Sequence, residues 1–149
     1  MSISFSHTLE IPEAPDAIWA VIDDPRRTPE WLDRCTAMEV VTPGAVALGT
    51  GLRYSFRDSG RDGVMDGEVT AWEPNARLTM RFTDRTMLAL VDFRLTATTT
   101  GTALTHVITL TPRSILTKLF APLIRSKLPG QTIEAMHKLH HLVHDKHLA

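Results

Sequence analysis

Two histidines stand where apolar residues would be expected. Ile3, Phe5, His7, Leu9 and Ile11 fall on one phase, with Ser4, Ser6, Thr8 and Glu10 on the other. That is the alternation of a half-buried strand. In a later segment His106 shares its phase with Leu104, Ile108 and Leu110. An imidazole on an apolar face loses hydration, which disfavours its charged form. A neutral imidazole near pH 7 can act as a general base toward a carbonyl compound. The plainer alternative is a hydrogen-bonded, semi-buried histidine, or one at a strand end facing water. Tyr54, the only tyrosine, sits between Leu52 and Phe56 on their phase. Its hydroxyl either donates to a ligand oxygen or finds a backbone partner in the core.

A second group of histidines lies near the C-terminus: His137, His140, His141, His144 and His147. On a helix they fall within about a third of the circumference. His137 with His141, and His140 with His144, have the i, i+4 spacing that can hold a metal ion. No cysteine or second carboxylate cluster accompanies them, so the reading favours a solvated helix face and no metal. The stretch Asp58-x-Gly60-x-Asp62-Gly63 echoes a calcium loop, but Val69 stands where that loop needs an acid. A glycine-rich phosphate loop, G-x-S-x-G and C-x-x-C are all absent from the sequence. Cys35 has no evident base partner and reads as a small buried residue. No cofactor is expected.

The elements that must position these groups follow from the pattern. Pro12 ends the first strand. Pro15 sits where a helix favours its first residue, and Ile18, Trp19 and Ile22 form an apolar stripe that Asp23-Asp24-Pro25 stops. Thr28-Pro29-Glu30 reads as a second short helix with Thr28 as N-cap. Six strands follow. They run over Met38 to Thr42, around Leu52-Tyr54-Phe56, over Val64 to Trp72, around Leu78-Met80-Phe82, over Met87 to Leu95, and over Leu104 to Leu110. Their connections are short, so the sheet must be antiparallel. Beyond Pro112 the period is helical. Two pieces are expected, Ser114 to about Leu128 interrupted by Pro122, and about Gln131 to Lys146 after Pro129-Gly130, which breaks or kinks the segment. Met136, Leu139, Leu142 and Val143 mark the apolar face of the second piece. Only this segment is long enough to cover a one-sided sheet, so a curved sheet wrapped around it is expected.

Length and composition set the class. The chain has 149 residues, 43% of them hydrophobic and 22% charged, which fits one globular domain spanning 1–149. A net charge of -1 gives no field to gather nucleic acid or an anionic membrane. A single cysteine excludes an internal disulfide, the start lacks a secretory pattern, and no run reaches the ~20 apolar residues of a membrane span. A soluble, cytoplasmic protein without stable membrane insertion is expected, as monomer or homodimer. The stretch 121–128 mixes apolar and basic residues; it reads as a cavity gate or sheet-edge packing rather than a membrane contact.

Several stretches resemble the START/Bet v 1-like superfamily, and most closely its polyketide cyclase/dehydrase and lipid-transport branch. They are Ala14-Pro15-Asp16-Ala17-Ile18-Trp19, the passage from Asp23 to Trp31, Gly49-Thr50-Gly51, the passage from Trp72 to Leu78, and Gly101-Thr102-Ala103-Leu104-Thr105. The resemblance spans nearly the whole chain but is structural, with no catalytic signature to carry over. It implies an α+β helix-grip fold: seven antiparallel strands curved around a long C-terminal helix, with two short helices after the first strand. It also implies a deep apolar cavity and makes the first and last strands neighbours, so that His7 and His106 would face that cavity. Trp31 would lie near its mouth. The expected lining is Phe5, Leu52, Tyr54, Phe56, Leu78, Met80, Phe82, Phe93, Leu104, Ile108, Met136, Leu139 and Val143, with His7, His106 and Tyr54 orienting the ligand. The expected partner is a hydrophobic small molecule of lipid, isoprenoid or polyketide type, carried or sensed. The alternative is a cyclase or dehydratase in which His7 or His106 takes a proton and Tyr54 donates to the developing enolate.

Overall fold

The computed structural model describes residues 2–148, with side chains through residue 144. Seven strands form one antiparallel sheet: β1 (Ile3–Ile11), β2 (Cys35–Val40), β3 (Gly51–Asp58), β4 (Arg61–Glu73), β5 (Arg77–Thr83), β6 (Met87–Ala97) and β7 (Thr102–Pro112). Their spatial order is β1-β7-β6-β5-β4-β3-β2. Helix α1 (Pro15–Ile22) and a 3-10 helix (Pro25–Glu30) follow β1, and α2 (Ile115–Leu119) and α3 (Ala121–Leu148) close the chain. This is the helix-grip α+β arrangement. Among the described residues, no helix is long and apolar enough to cross a membrane.

The strand phases decide which face is covered. Ile3 and Ile11 are buried, while Ser4, Ser6, Thr8 and Glu10 are exposed. The outer face of the β1–β7 pair is a ladder of hydroxyls: Ser2 with Thr111 at 2.8 Å, Ser4 with Thr109 at 3.3 Å, and Thr8 with Thr105 at 2.9 Å. These cross-strand pairs fix the register, and a slip of one residue would turn the ladder inward. Further along the outer face Asp92 accepts from Thr79 Oγ1 at 2.6 Å, Arg94 Nε at 2.8 Å and Arg77 Nε at 3.2 Å. Burial acts to raise the Asp92 carboxyl, but these donors outweigh it and hold it below the usual carboxylate range.

Two local expectations are corrected. The short helix after α1 does not start at Thr28. It begins at Pro25 as a 3-10 turn, with Asp24 as N-cap accepting from the Arg26 amide. Thr28 is buried inside it, and Trp31 caps its C-terminal end. Nor does Pro129 break the C-terminal helix, which runs through it. The lost N–H costs one helical bond, but Leu128 and Thr132 are buried on either side, so packing outweighs it. The interruption falls earlier, at Phe120 between α2 and α3.

The turn between β6 and β7 locks the start of the chain. A Cβ on Gly101 would lie 2.2 Å from the Ile11 carbonyl oxygen and 2.8 Å from Pro12 Cα. Beside it the fully buried Thr102 donates its hydroxyl to the Glu13 carbonyl at 2.7 Å. The close approach sets the exit of β1 against β7, and backbone atoms cannot yield as a flexible side chain can. Gly101→Ala is expected to destabilise the chain by about 2–4 kcal/mol, read as a lower urea midpoint. An unchanged midpoint would mean the turn relaxes freely.

Candidate functional site

The concave face of the sheet is solid at one end and hollow at the other. At the solid end Leu52, Phe93, Leu95 and Leu104 pack with Met136, Leu139 and Val143 of α3, together with Ile18 and Trp19 of α1. At the other end lies a cavity of about 400 Å³. Its wall includes Trp31, Met38, Tyr54, Phe56, Met65, Leu78, Met80, Phe82, Ala89, Val91, His106, Ile108 and Leu110. From α3 it receives Leu123, Ile124, Lys127, Leu128, Gln131, Thr132 and Ala135. The exposed members Asp58, Ser59, Thr86, Leu123 and Lys127 mark the mouth.

Two local features keep this end open. The helix turns Thr132 and Ala135 to the cavity where its next turns present Met136 and Leu139 to the core. On the sheet, Phe56 pairs with Gly63 and Phe82 with Gly67. A Cβ on Gly63 would lie 2.4 Å from Phe56 Cζ, and one on Gly67 would lie 2.5 Å from Phe82 Cδ1. The rings therefore lie down on the bare backbone of β4 instead of standing into the hollow.

Among the polar groups on this wall, His106, Trp31 and Tyr54 are set among aromatic side chains. His7 and His106 are direct partners across β1 and β7, and His106 also faces Phe93 across β6 and β7. The His106 ring stacks on Phe93 at 4.5 Å with planes 6° apart, and Trp31 meets Phe93 edge-on at 5.9 Å. Both ring nitrogens of His106, and Trp31 Nε1, are buried with no hydrogen-bond partner among the described residues. Burial pushes the His106 pKa down to about 4; the charge of His7 adds to this and Asp92 opposes it. His106 is thus a neutral imidazole, one nitrogen a donor and the other an acceptor. Tyr54 packs beside Phe56 at 5.3 Å and Phe82 at 5.5 Å, and burial pushes its phenol up to about 12. It remains a donor at all ordinary pH. At the cavity edge Asp23 accepts from Trp72 Nε1 at 2.9 Å.

Of the residues expected on the wall, the structure brings together Trp31, Tyr54, Phe56, Leu78, Met80, Phe82, His106 and Ile108. The others lie elsewhere. Leu52, Phe93, Leu104, Met136, Leu139 and Val143 are buried where helix side chains fill the concave face. Phe5 joins a satellite cluster with Ile3, Ala121 and Leu128. His7 stacks on Phe5 at 6.5 Å, its buried Nε2 unpartnered, and is not on the wall. The unanticipated wall residues include Met38, Met65 and Leu110 and groups from β6 and the first half of α3. Met87, Ala89 and Val91 were already visible as one strand phase. Thr132 and Ala135 carried no signal, because small residues on a helix do not announce a hollow.

The C-terminal histidines form a separate group. His144 Nδ1 lies 3.1 Å from the buried Glu13 carboxylate, and His140 stacks on His141 at 5.7 Å. Among the described residues no group of three or more metal-ligating side chains is assembled. His147 lies outside the described side chains. Burial raises the Cys35 thiol to about 11, so it is not a nucleophile at neutral pH.

A curved antiparallel sheet holding one long helix over an apolar hollow defines the helix-grip class. The family model described as polyketide cyclase / dehydrase and lipid transport matches residues 2–143, and the chain belongs to that family. A search of curated proteins finds no match. Among solved structures, the Zhui aromatase/cyclase from Streptomyces sp. R1128 superposes with TM-score 0.82 at 10% identity, over 97% of this chain and 94% of that one. Ara h 8.0201 superposes with TM-score 0.71 at 14% identity, over 97% and 99% of the two chains. A protein from Rhodobacter sphaeroides gives TM-score 0.72 at 21% identity, over 96% and 93%. These likenesses are of fold.

The His106 environment sets a pH dependence. In the folded chain His106 protonates only near pH 4, against an ordinary value of 6.5. Between those values the unfolded chain binds more protons. Stability is therefore full above about pH 6.5 and falls as pH drops toward 4, by roughly 3 kcal/mol in the limit. Urea unfolding at pH 7.5 and 4.5 should show this loss, and His106→Phe, which keeps the stack on Phe93, should shrink it. The same variant should be about 1 kcal/mol more stable than the parent at pH 7.5, because it removes buried unsatisfied nitrogens. Parallel pH profiles for parent and variant would refute the assignment.

Proposed function

We propose that the chain binds a hydrophobic small molecule of lipid, isoprenoid or polyketide type in this cavity, as a carrier or sensor. One observation carries the reading: His106 and Trp31, whose buried ring nitrogens have no partner among the described residues, both line a mostly apolar hollow. Leaving such atoms unpaired costs about 1–3 kcal/mol for each group. A ligand oxygen would remove that cost, accepting from Trp31 Nε1 and exchanging a hydrogen bond with His106. Tyr54 offers a further donor. An apolar body with one or two oxygens fits such a wall, and about 400 Å³ lies within the usual range for small-molecule sites.

The rival reading is a cyclase- or dehydratase-type enzyme with a cavity histidine as general base. His106 and Tyr54 on one wall favour it. A base that protonates only near pH 4 is poorly matched to proton abstraction at neutral pH, however, and this weighs toward binding.

Native mass spectrometry of protein purified without solvent extraction, beside the same sample denatured, tests the proposal. A non-covalent mass that disappears on denaturation is expected. The His106→Phe/Trp31→Phe double variant should lose it while keeping the fold. The released molecule, returned to fresh protein, should come back unaltered; a changed mass would move the assignment to the enzyme. An apo mass together with no uptake of an added fluorescent fatty acid would sink the binding reading.

A further inference from the structure

Among the described residues, five of the nine exposed large apolar side chains are gathered in one short stretch. Ile115 is 79% exposed, Leu119 72%, Leu116 65%, and Phe120 and Leu123 52% each. They occupy α2, its C-cap and the first turn of α3, with Ile115 and Leu119 four residues apart on α2 and Leu123 just beyond the break at Phe120. Clustered exposure of this kind marks an interaction surface, whereas isolated exposed apolar residues do not. The sequence reading placed an apolar-basic mixture at 121–128. The structure moves the exposed part upstream, since Ala121 and Leu128 are buried against Ile3.

Charge identifies what covers this patch. Between Asp92 and Glu134 the sequence contains no acidic residue, but it does contain Arg94, Arg113, Lys118, Arg125 and Lys127. Lys118, Arg125 and Lys127 are exposed. None of these three forms a salt bridge among the described residues. A second copy meeting this face across a two-fold axis would set these cations against their own counterparts. An anionic lipid surface presents the opposite charge, with acyl chains beneath it for the apolar side chains. The patch also runs into the cavity mouth, because Leu123 and Lys127 belong to both.

We propose that α2 and the first turn of α3 dock reversibly on a bilayer bearing anionic headgroups, with the apolar patch in the interface and Lys118 and Arg125 on the phosphates. Docking brings the mouth against the lipid, giving an apolar ligand a path that avoids water. The inference goes beyond the cavity reading and fails separately from it, since vesicle binding and the non-covalent mass are independent measurements.

The test is sedimentation of the full chain with vesicles of phosphatidylcholine alone and with an equal mixture of phosphatidylcholine and phosphatidylglycerol. Binding to the mixed vesicles is expected, at least about tenfold tighter than to the neutral ones and weakened by added salt. Ile115→Ser/Leu119→Ser and Lys118→Gln/Arg125→Gln should each reduce it about tenfold or more. Both should keep the parent circular dichroism, because the altered side chains are exposed. Equal binding to both vesicle types, or to neither, would overturn the proposal. So would a dimer by light scattering that only the Ile115/Leu119 variant converts to monomer, which would assign the patch to a second copy.

Discussion

One helix has to cover the concave face of seven strands, and everything of interest in this molecule follows from its covering only part of it well. Inward, α3 presents the small Thr132 and Ala135 to the cavity and the larger Met136, Leu139 and Val143 to the core. Where the large residues stand, the interior closes to core density. Where the small ones stand, the same curvature leaves about 400 Å³. Gly63 and Gly67 complete the hollow from the sheet side by letting Phe56 and Phe82 lie flat. The cavity is thus specified by small residues on facing elements, and filling it from either side would remove it.

The boundary between the two halves is drawn by an aromatic row. Trp31, Phe93 and His106 succeed one another from the 3-10 helix across β6 to β7, and the register places His7 next. A leucine at position 106 would suit the apolar phase. The imidazole instead brings two unpaired nitrogens into a site where only its neutral form is tolerated. Such a local choice lowers stability without visible compensation in the protein, and it is this mismatch that the proposed ligand would relieve. The outer face shows the contrast, since every strand-borne polar group around Asp92 has its partner there.

Much of this was legible in the residues. Strand phases located the covered face, tight turns forced an antiparallel sheet, and the three- and four-residue spacing of Met136, Leu139 and Val143 marked the gripping helix. The cavity wall was legible only by half. A phase tells which face a side chain joins but not whether the opposing element reaches it, so Leu104 and Ile108 look alike in sequence. In the structure one is fully buried under α3 and the other lines the hollow. Pro129 misled for a related reason: its local cost is read from the chain, while the burial of Leu128 and Thr132 that offsets it depends on the fold.

The first half of α3 inverts the usual pattern of a surface helix. Inward it offers small side chains to an apolar hollow, and outward, with the turn before it, it offers Phe120 and Leu123 to the surroundings. A small cluster holds that half to the sheet, in which Ala121 and Leu128 meet Ile3 with Phe5, Ile108, Leu110 and Ile124 packed against them. The C-terminal half is held by the main core, with the Glu13–His144 pair beyond it. The helix is therefore held at both ends, by the larger cluster away from the mouth and the smaller one near it.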